Sequence, residues 1–333
     1  MKRGVLFALA LVAASSTEAA DNQCQLVKIA EWQLRPNFYR PVVDGAINGQ
    51  KIGVLLDTGA AVTLIRRSAA TKLGLPLSPL RGNRQLDATR LYGVGGEVRT
   101  DGAYVEELRI ADAVRKDWMA IVAGEEEIEA DVSLLLGYEF FHQLDVEFDL
   151  PHKAVRLFDP KGCKNARLAY WTKEPLSVPL EGGKTLQFTV MINGKRLLAE
   201  LDTGASVTML SQEGATILGL SPQTPGVSPG GCLGSRKNGI DTWIAQLESF
   251  AIGDERIKNP KLRFADLWRN MTYEQTASNL RARMQPSEVL LGADFLHSHR
   301  VYVAHSQDKL YFSYEGGQVF PTHASKSCSE RSE

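Results

Sequence analysis

Leu56-Asp57-Thr58-Gly59-Ala60 returns as Leu201-Asp202-Thr203-Gly204-Ala205, at an offset of 202 − 57 = 145 residues. One Asp-Thr-Gly triplet arises by chance too often to mean much, but the match runs well beyond the triplet. Ile47-Asn48-Gly49 returns as Ile192-Asn193-Gly194, Val62-Thr63 as Val207-Thr208, and Leu73-Gly74-Leu75 as Leu218-Gly219-Leu220. Without gaps, residues 47–75 and 192–220 agree at 15 of 29 positions, so the chain holds two copies of one structural unit. Each copy carries one acid. Packed about a pseudo-twofold axis, the units would bring Asp57 and Asp202 together as a carboxylate pair.

Around the two triplets the chain reads as all-β, with short apolar runs separated by turn residues. Asn48-Gly49 and Asn193-Gly194 stand between apolar runs as hairpin signals, and the second strand of each hairpin leads straight into an Asp-Thr-Gly. Val62 to Ile65 and Val207 to Leu210 read as further strands. Ser68 to Leu73 and Ser211 to Leu218 then read as short helices closed by Gly74 and Gly219. A second repeated signature follows. Leu135-Leu136-Gly137-Tyr138-Glu139-Phe140-Phe141-His142 matches Leu290-Leu291-Gly292-Ala293-Asp294-Phe295-Leu296-His297 at an offset of 292 − 137 = 155. About ten residues are therefore added in the second unit, and the Pro/Gly-rich stretch 225–239 is the expected place for them. Asp159-Pro160-Lys161-Gly162 and Lys173-Glu174-Pro175 bracket an expected linker, which divides the chain into residues 21–167 and 168–333.

The chain has 333 residues, of which 44% are hydrophobic and 23% charged, enough for two sizeable cores. A net charge of −1 and the lack of a Lys/Arg block give no reason to expect nucleic acid or an anionic membrane as partner. Met1-Lys2-Arg3, an apolar run from Val5 to Ala14 and small residues ending near Ala20 form a signal-peptide pattern over residues 1–20. No later stretch is apolar for long enough to span a bilayer as a helix. The mature chain is expected to be exported, periplasmic or secreted, and off the membrane once the signal is removed. In that setting Cys24, Cys163, Cys232 and Cys328 are expected as disulfides. Of the three possible pairings the two-unit layout favours Cys24 with Cys163 and Cys232 with Cys328.

The paired Asp-Thr-Gly-Ala motifs, together with the apolar-apolar-Gly signatures, resemble aspartic proteases of the retropepsin and pepsin type. The Asp-Thr-Gly-Ala form is closer to retropepsins, while two units in one chain is the pepsin arrangement. The resemblance implies a bilobal fold of two β-barrel-like lobes with short helices, one lobe per unit, and an active monomer. It implies catalytic roles for Asp57 and Asp202, with Thr58, Gly59, Thr203 and Gly204 locking the carboxylates by hydrogen bonds. The apolar-apolar-Gly segments would thread beside the catalytic loops. Leu91-Tyr92-Gly93-Val94-Gly95-Gly96-Glu97-Val98 resembles the hairpin that closes over a bound peptide, which would make Tyr92, Gly93, Val94, Gly95 and Gly96 substrate-binding. Gly230 to Gly234 is the matching region of the second unit, a second flap or a tethered loop.

The chemistry stands without the family. Peptide hydrolysis needs a base to activate water and an acid to protonate the leaving nitrogen, and two adjacent carboxyls sharing one proton serve as both. Like charges so close resist double ionisation, so the pair titrates as a unit; aspartic proteases are the standard illustration of this behaviour. By the resemblance, Ala60 and Ala205 stand where pepsin-like enzymes usually carry a Ser or Thr hydroxyl that can donate to the ionised carboxylate, so the pair is expected to titrate higher than in those relatives and the active form to persist at milder acidity, on the order of pH 4 to 6. A peptide or protein substrate is expected, with no cofactor and no metal. His297-x-His299 reads as structural, because His142 occupies the position matching His297. Glu125 to Glu127 with Glu129 read as a solvated acidic face, and Asn270-Met271-Thr272 fits a glycosylation sequon. The competing readings are a catalytically silent protease-fold module that binds peptides, and a two-carboxylate glycosidase, whose acids need no symmetric placement.

Overall fold

The computed structural model describes residues 24–80, 91–93, 96–124, 131–181, 185–234, 239–269, 273–274, 281–282, 286–322 and 328. The signal-peptide stretch, the acidic run at 125–129 and the sequon at 270–272 lie outside them.

Two β-barrel-like lobes stand on a shared sheet. In the first lobe Val42–Ile47 pairs with Gln50–Leu56, followed in order by Val132–Leu136, Leu64–Arg66, Ala113–Ala123 and Thr100–Ile110. The last of these pairs back onto Val42–Ile47 and closes the ring. The second lobe repeats the order with Gln187–Ile192, Lys195–Leu201, Val289–Leu291, Met209–Ser211, Lys261–Ala265 and Ile240–Gln246. After two residues the chain continues as Ser249–Ile252, which pairs with Gln187–Ile192. The single long strand of the first lobe is thus broken once in the second, and the ring closes in the same way.

Local sequence explains the opening hairpin of each lobe. Asn48 and Gly49 both take positive φ, as do Asn193 and Gly194, which is the two-residue turn whose twist matches flanking strands. The Asn48 side-chain oxygen accepts the Glu107 N–H at 3.0 Å, and that of Asn193 accepts the Glu248 N–H at 2.8 Å, so each turn is also tied to the closing strand. Alternate strand residues then fill the barrels. Val54, Leu56, Ile65 and Leu134 in one lobe, and Phe188, Val190, Leu201 and Phe264 in the other, are buried almost completely. Each stabilises by about 1.5–3 kcal/mol relative to exposure. The helices form as the sequence predicts, at Arg67–Lys72 and Gln212–Ile217, and Gly74 and Gly219 take the left-handed conformation just beyond them. Ser211 is the cap of the second helix rather than its first residue, accepting the Gly214 N–H at 3.1 Å.

Beneath the barrels lies a six-stranded sheet in the order Gln25–Gln33, Ala154–Lys161, Asp145–Asp149, His299–Ala304, Lys309–Tyr314, Leu176–Pro179. Its two central strands come from different halves, with Val146 opposite Val303, Glu147 opposite Tyr302 and Phe148 opposite Val301. Since 302 − 147 = 155 is the offset of the second signature, Glu147 faces its own counterpart and the pseudo-twofold axis passes through that pair. Glu147 is fully buried and ion-paired to Arg156 and Arg300.

One expectation is corrected. The extra residues of the second unit do not lie at 225–239. Leu64 stands beside Ile121 and its counterpart Met209 beside Arg263, giving 263 − 121 = 142, so the second lobe is still the shorter one at that point. The whole gain to 155 falls between Ala265 and Val289, where Tyr273–Glu274 pairs with Arg281–Ala282 as an added hairpin. The Pro and Gly residues near 230 have another cause: they build a bulged strand, Ser228–Leu233, at the sheet edge. A Cβ on Gly230 would lie 2.5 Å from Thr242 Oγ1. The bracketed linker is itself packed against the shared sheet. Leu168 and Ala169 are buried with Phe158 and Tyr302, and Trp171 Nε1 donates to Ser313 Oγ at 2.7 Å.

Both disulfides join the expected partners, Cys24 to Cys163 and Cys232 to Cys328. One tethers the first strand to the end of the first half; the other holds the Ser228–Leu233 strand to the C-terminal tail.

Candidate active site

Gln50–Leu56 ends where Asp57 begins, and the turn at Asp57 is forced by its neighbours. Leu135 and Leu136 run parallel to Leu55 and Leu56, and the Asp57 N–H donates to the Leu136 carbonyl at 2.9 Å. In the second lobe Leu290 and Leu291 flank Glu200 and Leu201, and Asp202 N–H donates to Leu291 at 3.0 Å. The glycine of each signature lies directly under the Asp-Thr-Gly loop. Gly137 N–H donates to Thr63 Oγ1 and Gly292 N–H to Thr208 Oγ1, both at 3.0 Å. A Cβ on Gly137 would stand 2.8 Å from the Thr63 nitrogen, and one on Gly292 2.7 Å from the Val207 carbonyl carbon, so no larger residue fits. The threading expected from the two signatures is what the backbone does.

The two loops then interlock. Thr58 N–H donates to Thr203 Oγ1 at 3.0 Å, and Thr203 N–H returns the bond to Thr58 Oγ1 at the same distance. Each hydroxyl donates onward across the interface, Thr58 to the Leu201 carbonyl at 2.7 Å and Thr203 to the Leu56 carbonyl at 2.6 Å. Four buried bonds thus cross between the lobes at one point. Asp57 Oδ1 accepts the N–H groups of Gly59 and Ala60, at 3.1 and 3.0 Å. Asp202 Oδ1 accepts those of Gly204 and Ala205, at 2.9 and 3.1 Å. The carboxyls occupy space that glycine alone leaves open: a Cβ on Gly59 would lie within 2.7 Å of all three carboxylate atoms of Asp202, and one on Gly204 would overlap Asp57 in the same way. Asp57, Asp202, Thr58, Gly59, Thr203 and Gly204 therefore form one cluster.

Burial and mutual repulsion dominate its electrostatics. The Asp57 carboxyl is pushed well above its usual range, first by loss of water and then by the charge of Asp202; the Ala60 and Gly59 N–H groups and the charge of Arg40 pull the other way. Asp202 is raised as well, by burial, against its own two N–H donors, a hydrogen bond with Asp57 and the same Arg40. A pair so placed holds one proton between two acids over a wide pH range.

Several residues in this cluster escape a reading by motif. Arg40 is buried and its Nη1 donates to the Gly204 carbonyl at 3.0 Å. Glu200, next to Leu201, is largely buried and accepts from Ser287 Oγ at 2.9 Å, while Gln187 Nε2 donates to that same Oγ at 3.1 Å. Burial, together with the charge of Asp202, raises the Glu200 carboxyl to about 7 against the restraint of Ser287. At the matching positions of the first lobe stand Val42, Leu55 and Val132, a small apolar cluster. Asp294 accepts both the N–H and the hydroxyl of Thr208, and burial lifts it to about 6. Glu139 does the corresponding work for the Thr63 N–H, at 2.6 Å.

Leu91–Gly93 and Gly96–Val98 pair as a hairpin, with Tyr92 opposite Glu97 and Gly93 opposite Gly96. Val94 and Gly95 lie outside the described residues. In the second lobe Gly230 to Leu233 belong to the bulged strand, and Cys232 anchors it through its disulfide, so this region is tethered. His297 Nε2 meets the Tyr39 carbonyl at 2.7 Å across the lobes, and His299 is sandwiched between Phe295 and Glu255.

A search among curated proteins returned no match. The aspartyl protease family model matches the chain twice, over residues 43–140 and 188–295, so that each match takes in one barrel with its Asp-Thr-Gly and its apolar-apolar-Gly signature. With well over half of its length covered by that repeated match, the chain belongs to the aspartyl protease family.

Proposed function

We propose that the protein is an aspartic endopeptidase in which Asp57 and Asp202 activate one water molecule between the lobes. The observation that carries this reading is the reciprocal Thr58–Thr203 lock, which places each carboxyl against the glycine of the opposite loop. With each Oδ1 committed to two backbone N–H groups, the other carboxyl oxygens are left to hold the shared proton and the water. The ionised carboxylate takes a proton from water as the water oxygen bonds to the peptide carbonyl carbon, and the protonated carboxyl donates to the carbonyl oxygen. Collapse of the tetrahedral diol breaks the C–N bond as the carboxyl that took the proton from water gives it to nitrogen and the other carboxylate takes one from a diol hydroxyl, so that an amine and a carboxylic acid leave. The acids exchange roles within one turnover, and the chemistry needs no cofactor. The hairpin Leu91–Val98 is the element proposed to lie over the peptide, with Tyr92, Gly93 and Gly96 lining it.

Both acids belong to one chain, so the active species is proposed to be a monomer. Export to the periplasm or the exterior fits the signal-like residues 1–20 and the two disulfides. Digestion of a peptide library at several pH values, with Asp57→Asn and Asp202→Asn as controls, tests the function. Cleavage lost in both variants while peptide binding persists is the expected result. Binding without cleavage by the unaltered protein would instead identify a silent peptide-binding module. Size fractionation with assay of each fraction tests the monomer.

A further inference from the structure

Arg40 has no cationic counterpart in the second unit. The preceding-strand geometry is the same in both lobes, since Leu56 N–H donates to the Pro41 carbonyl and Leu201 N–H to the Leu186 carbonyl, 145 residues on. By that register the counterpart of Arg40 is Thr185, a neutral residue. The segment holding Arg40 belongs to the first lobe but is clamped to the second: the Tyr39 ring packs tilted against His297 with centroids 4.1 Å apart, and Arg40 Nη1 donates to the Gly204 carbonyl. Through Pro41 the same segment holds the strand that ends in Asp57. One short piece of chain therefore ties the first acid's strand to the second acid's loop, and it delivers a buried cation to their junction.

The charged surroundings of that cation come from every side of the junction. Asp57 and Asp202 face it from the two loops, and its charge acts on both. Glu200 lies behind Asp202 on Lys195–Leu201, and burial with the charge of Asp202 raises it to about 7, so that it stays protonated at mild acidity and adds no charge there. Asp294 lies beyond Tyr39, whose hydroxyl it influences. With two carboxyls in contact and no hydroxyl at residues 60 or 205, a buried positive charge beside the pair favours its carrying one negative charge at mild acidity.

We infer that Arg40 is a positioning residue of the carboxyl pair, one that fixes the second loop through the Gly204 carbonyl and whose charge keeps the pair singly ionised. This rests on the proposed proteolytic function and deepens it: among the described residues, cationic support for the pair comes from Arg40, outside both motifs.

Arg40→Gln retains a donor for the Gly204 carbonyl and removes the charge; Arg40→Lys retains the charge. The pH profile of kcat/KM is expected to move to higher pH in Arg40→Gln by about one unit, so that activity on the acid limb falls roughly tenfold. Arg40→Lys should stay close to the original profile. The carboxyl 13C resonances of Asp57 and Asp202, assigned with the two Asn variants, should titrate with the same displacement whether or not any peptide is cut. Should Arg40→Gln fail to fold, Arg40→Met repeats the uncharged measurement. An unmoved carboxyl titration in the uncharged variant overturns the inference and leaves Arg40 a structural clamp. An inert unaltered protein whose titration moves on loss of Arg40 overturns the proteolytic reading alone.

Discussion

Replacing Thr203 by Ala strikes the point where the lobes are bound to each other. The hydroxyl is completely buried, accepts the Thr58 N–H at 3.0 Å and donates to the Leu56 carbonyl at 2.6 Å. Truncation therefore strands a donor and an acceptor of the other lobe together. An unsatisfied buried polar group costs about 1–3 kcal/mol, so the two together predict a loss of about 2–6 kcal/mol. Thr203→Ser keeps both bonds and deletes one methyl group, for which about 1 kcal/mol is the expected cost. Urea unfolding of the three proteins at one pH, followed by fluorescence, separates the cases. The same samples should show activity in Thr203→Ser and a large loss in Thr203→Ala, because the loop carrying Asp202 is then held by one interlobe bond pair instead of two. Equal stability of the Ser and Ala variants, within about 0.5 kcal/mol, would refute the claim that this hydroxyl satisfies the opposite lobe.

Glu200 gives a pH test with a definite sign. Its carboxyl lies at about 7 in the fold against 4.5 for an unperturbed group, so the folded form holds a proton that the unfolded chain has already lost. Its contribution is therefore full below about pH 4.5 and disappears as pH rises to about 7, a loss of at most about 3 kcal/mol. Glu200→Gln should flatten the stability profile in that window, and a slope unchanged in thermal melts across it would count against the buried acid. For Ala60→Ser, the added hydroxyl next to the Ala60 N–H bond to Asp57 should stabilise the carboxylate and shift the acid limb of activity downward; a limb that stays put refutes the hydroxyl argument. Removing the Cys232–Cys328 bridge by paired Ala substitution should cost about 4–5 kcal/mol by the chain-entropy estimate for its separation of 96 residues. Loss of the bridge spanning 139 residues should cost nearly the same, because loop entropy grows only logarithmically, and a severalfold difference in calorimetry would contradict that view.

The sequence made legible whatever the two units share. Asp57 and Asp202, the Asn-Gly turns, the helices ending at Gly74 and Gly219, and the glycines under the Asp-Thr-Gly loops all recur, and each recurs because a backbone requirement recurs. Differences were harder to see. Arg40 lies seventeen residues before Asp57 and aligns with a threonine, so comparing the units discards it. The exchange of Val42, Leu55 and Val132 for Gln187, Glu200 and Ser287 is invisible until strand register puts the three together. The misplaced insertion has a related cause: Pro and Gly mark irregular backbone, and at 229–231 the irregularity is a bulge in a crowded strand, not added length. The packing of Leu168 and Trp171 depends on contacts with residues more than a hundred positions away, which local composition does not encode.

The central pairing of Asp145–Asp149 with His299–Ala304 also sets a timetable for synthesis. The first strand leaves the ribosome 299 − 149 = 150 residues before its partner, so at ordinary translation rates its edge waits about 8–30 s. During that wait a ribbon bearing Val146 and Phe148 has open backbone donors and acceptors along one side, the form in which nascent chains join one another. Glu147 sits at its centre, and until Arg300 arrives one of its two cationic partners is missing. The acid that marks the symmetry axis in the finished molecule thus guards the unfinished one, because two such edges meeting would bring like charges face to face.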